Sequence, residues 1–167
     1  MTISSIKTEI RCIGSANLFI GGLTFLLIAL LVRLACPTPY ALYKILNMSA
    51  FMPPIWLTVL AMSAFFFFAG AAFFGALSYR CEDIHKYKGG MFFVIMMSLC
   101  LAWYPIFFSL KLFILSLAVS AFSCICAFAC ASSYLRISRF LGSLMTLCAL
   151  WLVYLTLVNA FCLFQNI

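Results

Sequence analysis

Read for the alternation of apolar and polar positions, the chain falls into five long apolar runs, 14–34, 54–77, 90–108, 112–133 and 140–164, separated by polar breaks. Each run is close to the roughly 17–25 residues that a helix needs to cross a bilayer. Helical periodicity within the runs is weak, as expected of a membrane helix that can be apolar on every side. The pattern predicts an all-α integral membrane protein, a five-helix transmembrane bundle forming one domain over residues 1–167.

The breaks differ in character. The first, Ala35 to Pro53, carries Pro37, Pro39, Tyr40, Tyr43 and Lys44, which suits a loop at headgroup level. Tyr43 and Leu46 lie three apart, so this stretch is either a short helix on the membrane surface or a plain linker. The second, Tyr79 to Gly90, holds Arg80, Glu82, Asp83, His85, Lys86 and Lys88, and with them every acidic residue except Glu9. One histidine and two carboxylates in such a hairpin read as a solvated turn rather than a metal site. The remaining breaks, near Ser109–Lys111 and Tyr134–Arg139, are short.

Composition agrees with the pattern. The chain is 68% hydrophobic and 8% charged, with mean hydropathy +1.24. A soluble domain carries about 25% charged residues, so the bilayer must be the solvent here. The first run follows Lys7 and Arg11 as a signal peptide would. It is longer than the roughly 7–15 residues of such a segment's apolar core, which favours a retained helix. The net charge of +7 does not indicate nucleic acid, because the ten Lys and Arg are scattered singly between apolar runs. Counted by side, Lys7, Arg11, Arg80, Lys86, Lys88, Arg136 and Arg139 face one way, and Arg33, Lys44 and Lys111 the other. The positive-inside rule then puts the N-terminus inside and the C-terminus outside. A bacterial cell membrane is favoured over a mitochondrial one.

Nine cysteines are present without any C-x-x-C spacing, and most fall in or beside apolar runs, where Cys acts as a small hydrophobe. Small residues recur every four positions at Ser116, Ser120 and Cys124, at Ser123, Ala127 and Ala131, and at Ala72 and Ala76, a pattern that lets helices approach closely. Ser98 and Ala102 make a similar pair on the third run, a candidate homodimer face.

No Asp, Glu, His, Lys or Arg lies deep in a run, which argues against a proton pump or ion-coupled transporter. No nucleophile–base pair or metal cluster points to an enzyme. What remains is aromatic and amide. Trp151, Leu155 and Asn159 share one face of the fifth run at i, i+4 and i+8. Asn159 should face protein or a cavity, an interhelical hydrogen bond being the simplest role. Trp103 and Pro105 interrupt the third run, and both need a protein environment for their backbone or indole polar groups.

The segment Leu99 to Ser109, with Trp103, Pro105, Ile106, Phe107 and Phe108, resembles the third-helix signature of the TspO/MBR family, the translocator or tryptophan-rich sensory proteins. Tyr43 and Leu46 match its first-loop element, Pro53-Pro54-Ile55-Trp56 the opening of its second helix, Gly70 a glycine midway along that helix, and Trp151 and Asn159 its fifth-helix pattern. The chain departs at Leu42, Met62 and Leu115, which stand for tryptophans, at Cys100 and Leu101 for an Asn-Trp pair, at Tyr104 for Pro and at Val119 for Asp; Ala160 stands for the Tyr of a cholesterol-recognition pattern.

The resemblance implies a five-helix bundle with a pocket beneath the first loop, lined by Trp56, Met62, Trp103, Leu115, Ala118, Phe122, Trp151, Leu155 and Asn159. It implies a binding protein for a flat hydrophobic ligand, a porphyrin such as protoporphyrin IX or heme, acting in sensing or transport with no required cofactor. Some bacterial members are proposed to photodegrade porphyrin through paired pocket tryptophans; with Met62 at one of those positions, binding without catalysis is expected. The alternatives are a structural or assembly partner of other membrane proteins, its pocket closed, and a lipid or sterol carrier.

Overall fold

The computed structural model describes residues 14–35, 54–79 and 84–166. They form five helices: α1 (Ser15–Ala35), α2 (Ile55–Ser78), α3 (Ile84–Phe108), α4 (Phe113–Ile137) and α5 (Arg139–Asn166). All five are long and apolar enough to cross a membrane, and among the described residues there is no strand. In a bilayer, helices satisfy every backbone group internally, which apolar runs of this length require. The first-loop stretch with Tyr43 and Leu46, read as either a surface helix or a linker, lies outside the described residues, as do Glu82 and Asp83.

The helices alternate in direction and neighbour one another in the order α1, α2, α5, α4, α3. Packing is most extensive between α4 and α5, α3 and α4, and α1 and α2. It is thinner between α2 and α5 and slight where α3 meets α1 and α2. The bundle is therefore an α3–α4–α5 trio with an α1–α2 pair leaning on it, and a seam runs between them. The end at which α1, α3 and α5 finish is called the upper end below.

Local chemistry explains the boundaries. α3 begins at Ile84, six residues before the apolar run that starts at Gly90, because the polar stretch His85–Lys88 is helical and extends beyond that run. Lys86 Nζ donates to the carbonyls of Leu77 (2.5 Å) and Tyr79 (3.1 Å), placing a cation at the C-terminus of α2. α4 and α5 are separated by Ser138 alone. Its N–H donates to Tyr134 O at 2.9 Å, and its Oγ accepts from the Leu141 N–H at 3.4 Å, so one residue ends one helix and caps the next.

α3 continues through Pro105, which leaves the Leu101 carbonyl without its usual donor. It closes with the Ser109 and Leu110 N–H groups both on Pro105 O, at 2.9 and 3.0 Å, and with Lys111 in the left-handed region at φ 56. Along the spans, hydroxyls bond the preceding turn, as Thr24 does with Ile20 O, Ser63 with Val59 O and Thr156 with Leu152 O, each at 2.8 Å. This local bonding makes hydroxyls tolerable in lipid.

The lower half is filled by aromatic rings. Phe73 and Phe93 stack at 4.3 Å, and Phe25 of α1 meets Phe93 edge-on at 5.1 Å. α1 and α2 cross at Gly21 and Gly70, where a Cβ on Gly70 would come within 2.5 Å of Gly21 O. Gly89 of α3 gives room to the fully buried ring of Tyr134. The upper half of the seam is less completely filled, and the candidate site lies there.

Candidate functional site in the upper seam

Four helices bring side chains to one level. At 1.5 Å per residue, Trp103 sits about 8 Å below the upper end of α3, and Met62, Ser120 and Asn159 each sit about 10 Å below the upper ends of α2, α4 and α5. A cavity of about 20 Å³ lies among Met62, Phe65, Cys100, Trp103, Leu155 and Asn159, with Ser120 and Ser123 of α4 behind it. A second void of about 40 Å³ lies above it, sharing Met62, Trp103, Leu155 and Asn159 and adding Phe107 and Phe108. The first is large enough for about one water molecule, and neither approaches the roughly 300 Å³ at which small-ligand pockets begin. The seam is closed in this state.

The polar groups of the site divide into used and unused. Ser120 Oγ donates to Leu117 O at 3.0 Å and Ser123 Oγ to Val119 O at 2.8 Å, so both hydroxyl hydrogens are bonded within α4. Trp151 Nε1 donates to Met62 Sδ at 3.3 Å, tying α5 to α2 across the seam. Trp103 Nε1 and Asn159 Nδ2, by contrast, are buried and have no hydrogen-bond partner among the described residues. Asn159 is only 4% exposed. A buried donor without an acceptor carries a desolvation penalty of about 1–3 kcal/mol, and here two such donors border the same cavity.

The expected pocket residues separate into groups. Met62, Trp103, Leu155 and Asn159 come together at the cavity. Trp151 stands at its edge: its indole meets Met62, while its ring tilts against Tyr154 at 5.2 Å beside a shallow groove of about 360 Å³ between α2 and α5. Trp56 is 67% exposed near the upper end of α2, where an interfacial anchor would lie. Leu115, Ala118 and Phe122 are not brought to the cavity; they are exposed on the outer face of α4, Phe122 to 54%.

α4 instead turns its serines inward. Ser116, Ser120, Ser123 and Ala127 are buried, because small residues let α4 approach α3 and α5 closely. The four-residue spacing of Ser116 and Ser120 was the signal for that face. Cys100 and Phe65 carried no comparable signal in the sequence. Among the described residues no group of three or more His, Cys, Asp or Glu is placed to hold a metal. The six described cysteines are free thiols; Cys130 donates to Gly89 O at 3.3 Å.

The TspO/MBR family model matches residues 17–164, nearly the whole chain. The chain belongs to the TspO/MBR family. Membership makes it a multi-pass membrane protein of a family with sensory and transport roles, and its bundle fits a binding protein. No curated protein matches the chain. The fold gives Gly70 a physical reason, the close crossing of α1 over α2.

Proposed function

We propose that this TspO/MBR protein binds a flat hydrophobic ligand, a porphyrin such as protoporphyrin IX or heme, in the upper seam between α2, α3 and α5. One observation carries the reading: Trp103 Nε1 and Asn159 Nδ2 are unused donors on one cavity, so a ligand acceptor placed there would relieve both. The ring system would enter by displacing Met62, a flexible side chain suited to repacking, and by parting the thinly packed α2–α5 contact. Trp103 and Trp151 would flank it, and Leu155 would pack against its edge. The role is sensing or transport without catalysis, with the N-terminus inside and a bacterial cell membrane as the setting. Ser98 and Ala102 are exposed on α3 and would serve a homodimer contact.

The test is a titration of the protein in lipid nanodiscs with protoporphyrin IX, read by tryptophan quenching, beside Asn159→Leu. Saturable quenching at micromolar concentration, weakened at least several-fold in Asn159→Leu, is expected. Quenching that never saturates, or is identical in the two proteins, would reduce binding to partition into lipid.

The closed state of the seam favours a second reading, an assembly partner for other membrane proteins. It predicts unchanged tetrapyrrole levels on deletion and a co-purifying membrane partner.

A further inference from the structure

Beside the two cavities lies a third void of about 30 Å³, between α1 and α2, with Tyr104 of α3 at its edge. Its α1 wall is Leu26, Ala29, Leu30 and Arg33, one face of the helix at i, i+3, i+4 and i+7. Met62 is a wall of this void and of both cavities of the upper seam. Met62, which the ligand would displace, thus stands with Tyr104 between the Arg33 void and the cavity of the unused Trp103 and Asn159 donors.

Arg33 is only partly exposed although it stands two residues from the end of α1. A cation at a helix C-terminus is favoured by the helix dipole, and a long side chain can reach the headgroups. Neither effect accounts for its lining the same void as Met62 and Tyr104. A guanidinium presents five N–H donors suited to gripping a carboxylate. With Met62 aside, the seam offers three donor groups, Arg33, Trp103 and Asn159, around an apolar space.

We propose that the ligand of this site is an apolar acid whose carboxylate is held by Arg33 while its ring body occupies the seam. The proposal rests on the binding reading above and specifies the chemistry of the ligand's polar end. A neutral ring of the same shape should bind the seam without using Arg33.

The experiment compares protoporphyrin IX with its dimethyl ester, in nanodiscs of phosphatidylcholine alone, for the wild-type protein, Arg33→Gln and Arg33→Lys. The acid is expected to bind wild type about tenfold or more tightly than the ester, the scale of one charge-assisted contact. Arg33→Gln should bring the acid to the ester's affinity and leave the ester unchanged, which also shows that the variant is folded. Arg33→Lys should retain part of the preference. An acid-to-ester ratio that Arg33→Gln does not change would overturn the proposal while leaving the seam as a binding site. Equal weakening of acid and ester would overturn it too, by making Arg33 structural. If neither compound binds wild type saturably, the binding reading itself fails and this one with it.

Discussion

Replacing Met62 by Ala removes the outer atoms of a side chain that walls voids of about 20, 30 and 40 Å³ and is only 7% exposed. The side-chain volume lost is about 75 Å³, and at roughly 24 cal/mol per Å³ of cavity the expected loss of stability is about 2 kcal/mol. The transfer contribution is small because lipid, the solvent of the separated helices, is as apolar as the core. Trp151 Nε1 also loses its acceptor, so the indole environment should change with the stability. The voids would merge into a space on the order of 150 Å³, comparable to an engineered cavity that binds benzene.

Unfolding in mixed detergent and SDS, followed by tryptophan fluorescence, measures the first effect. Benzene-dependent stabilisation measures the second: at a hundredfold excess over its dissociation constant it should restore roughly 2.7 kcal/mol to the variant and nothing to wild type. Undiminished stability of Met62→Ala, or equal benzene effects on both proteins, would refute the idea that Met62 plugs a pre-shaped space.

Other substitutions test the frame and the site separately. Gly70→Ala sets a Cβ 2.5 Å from Gly21 O, a backbone atom that cannot turn aside, and should destabilise the α1–α2 pair by about 1–3 kcal/mol in the same unfolding assay. Lys111→Gly relieves a left-handed residue at φ 56 and should stabilise the protein by roughly 1 kcal/mol. Ser138→Ala removes the hydroxyl that accepts the Leu141 N–H and should lower stability by about 1 kcal/mol. Asn159→Leu removes a buried amide nitrogen that has no acceptor and keeps a side chain of similar size, so the ligand-free protein should gain about 1 kcal/mol while porphyrin affinity falls.

Much of the fold was legible because the bilayer imposes a coarse rule: an apolar run of sufficient length becomes a helix. The rule is silent where a helix outlasts its apolar run, and α3 therefore begins at Ile84. The faces of α4 were harder to read. Leu115, Ala118 and Phe122 carry apolar side chains that suit lipid and a pocket equally, and the structure leaves them exposed on the outer face of α4. The small-residue spacing of Ser116 and Ser120 identified the packed face on physical grounds. On α5, the stripe from Trp151 through Leu155 to Asn159 does face the seam, because an amide in lipid must find protein. The division into a pair and a trio depends on which helices touch closely, which five similar apolar runs do not encode separately.

The most direct test of the site is the set of indole ¹H–¹⁵N signals of the isotopically labelled protein, assigned with Trp→Phe variants and followed during a protoporphyrin IX titration. The account predicts that the Trp103 signal starts at a shift typical of an unbonded indole N–H and moves saturably with ligand. The Trp151 signal should change as its bond to Met62 breaks, and the exposed Trp56 should respond least. A Trp103 signal that stays in place while the protein takes up porphyrin would contradict it.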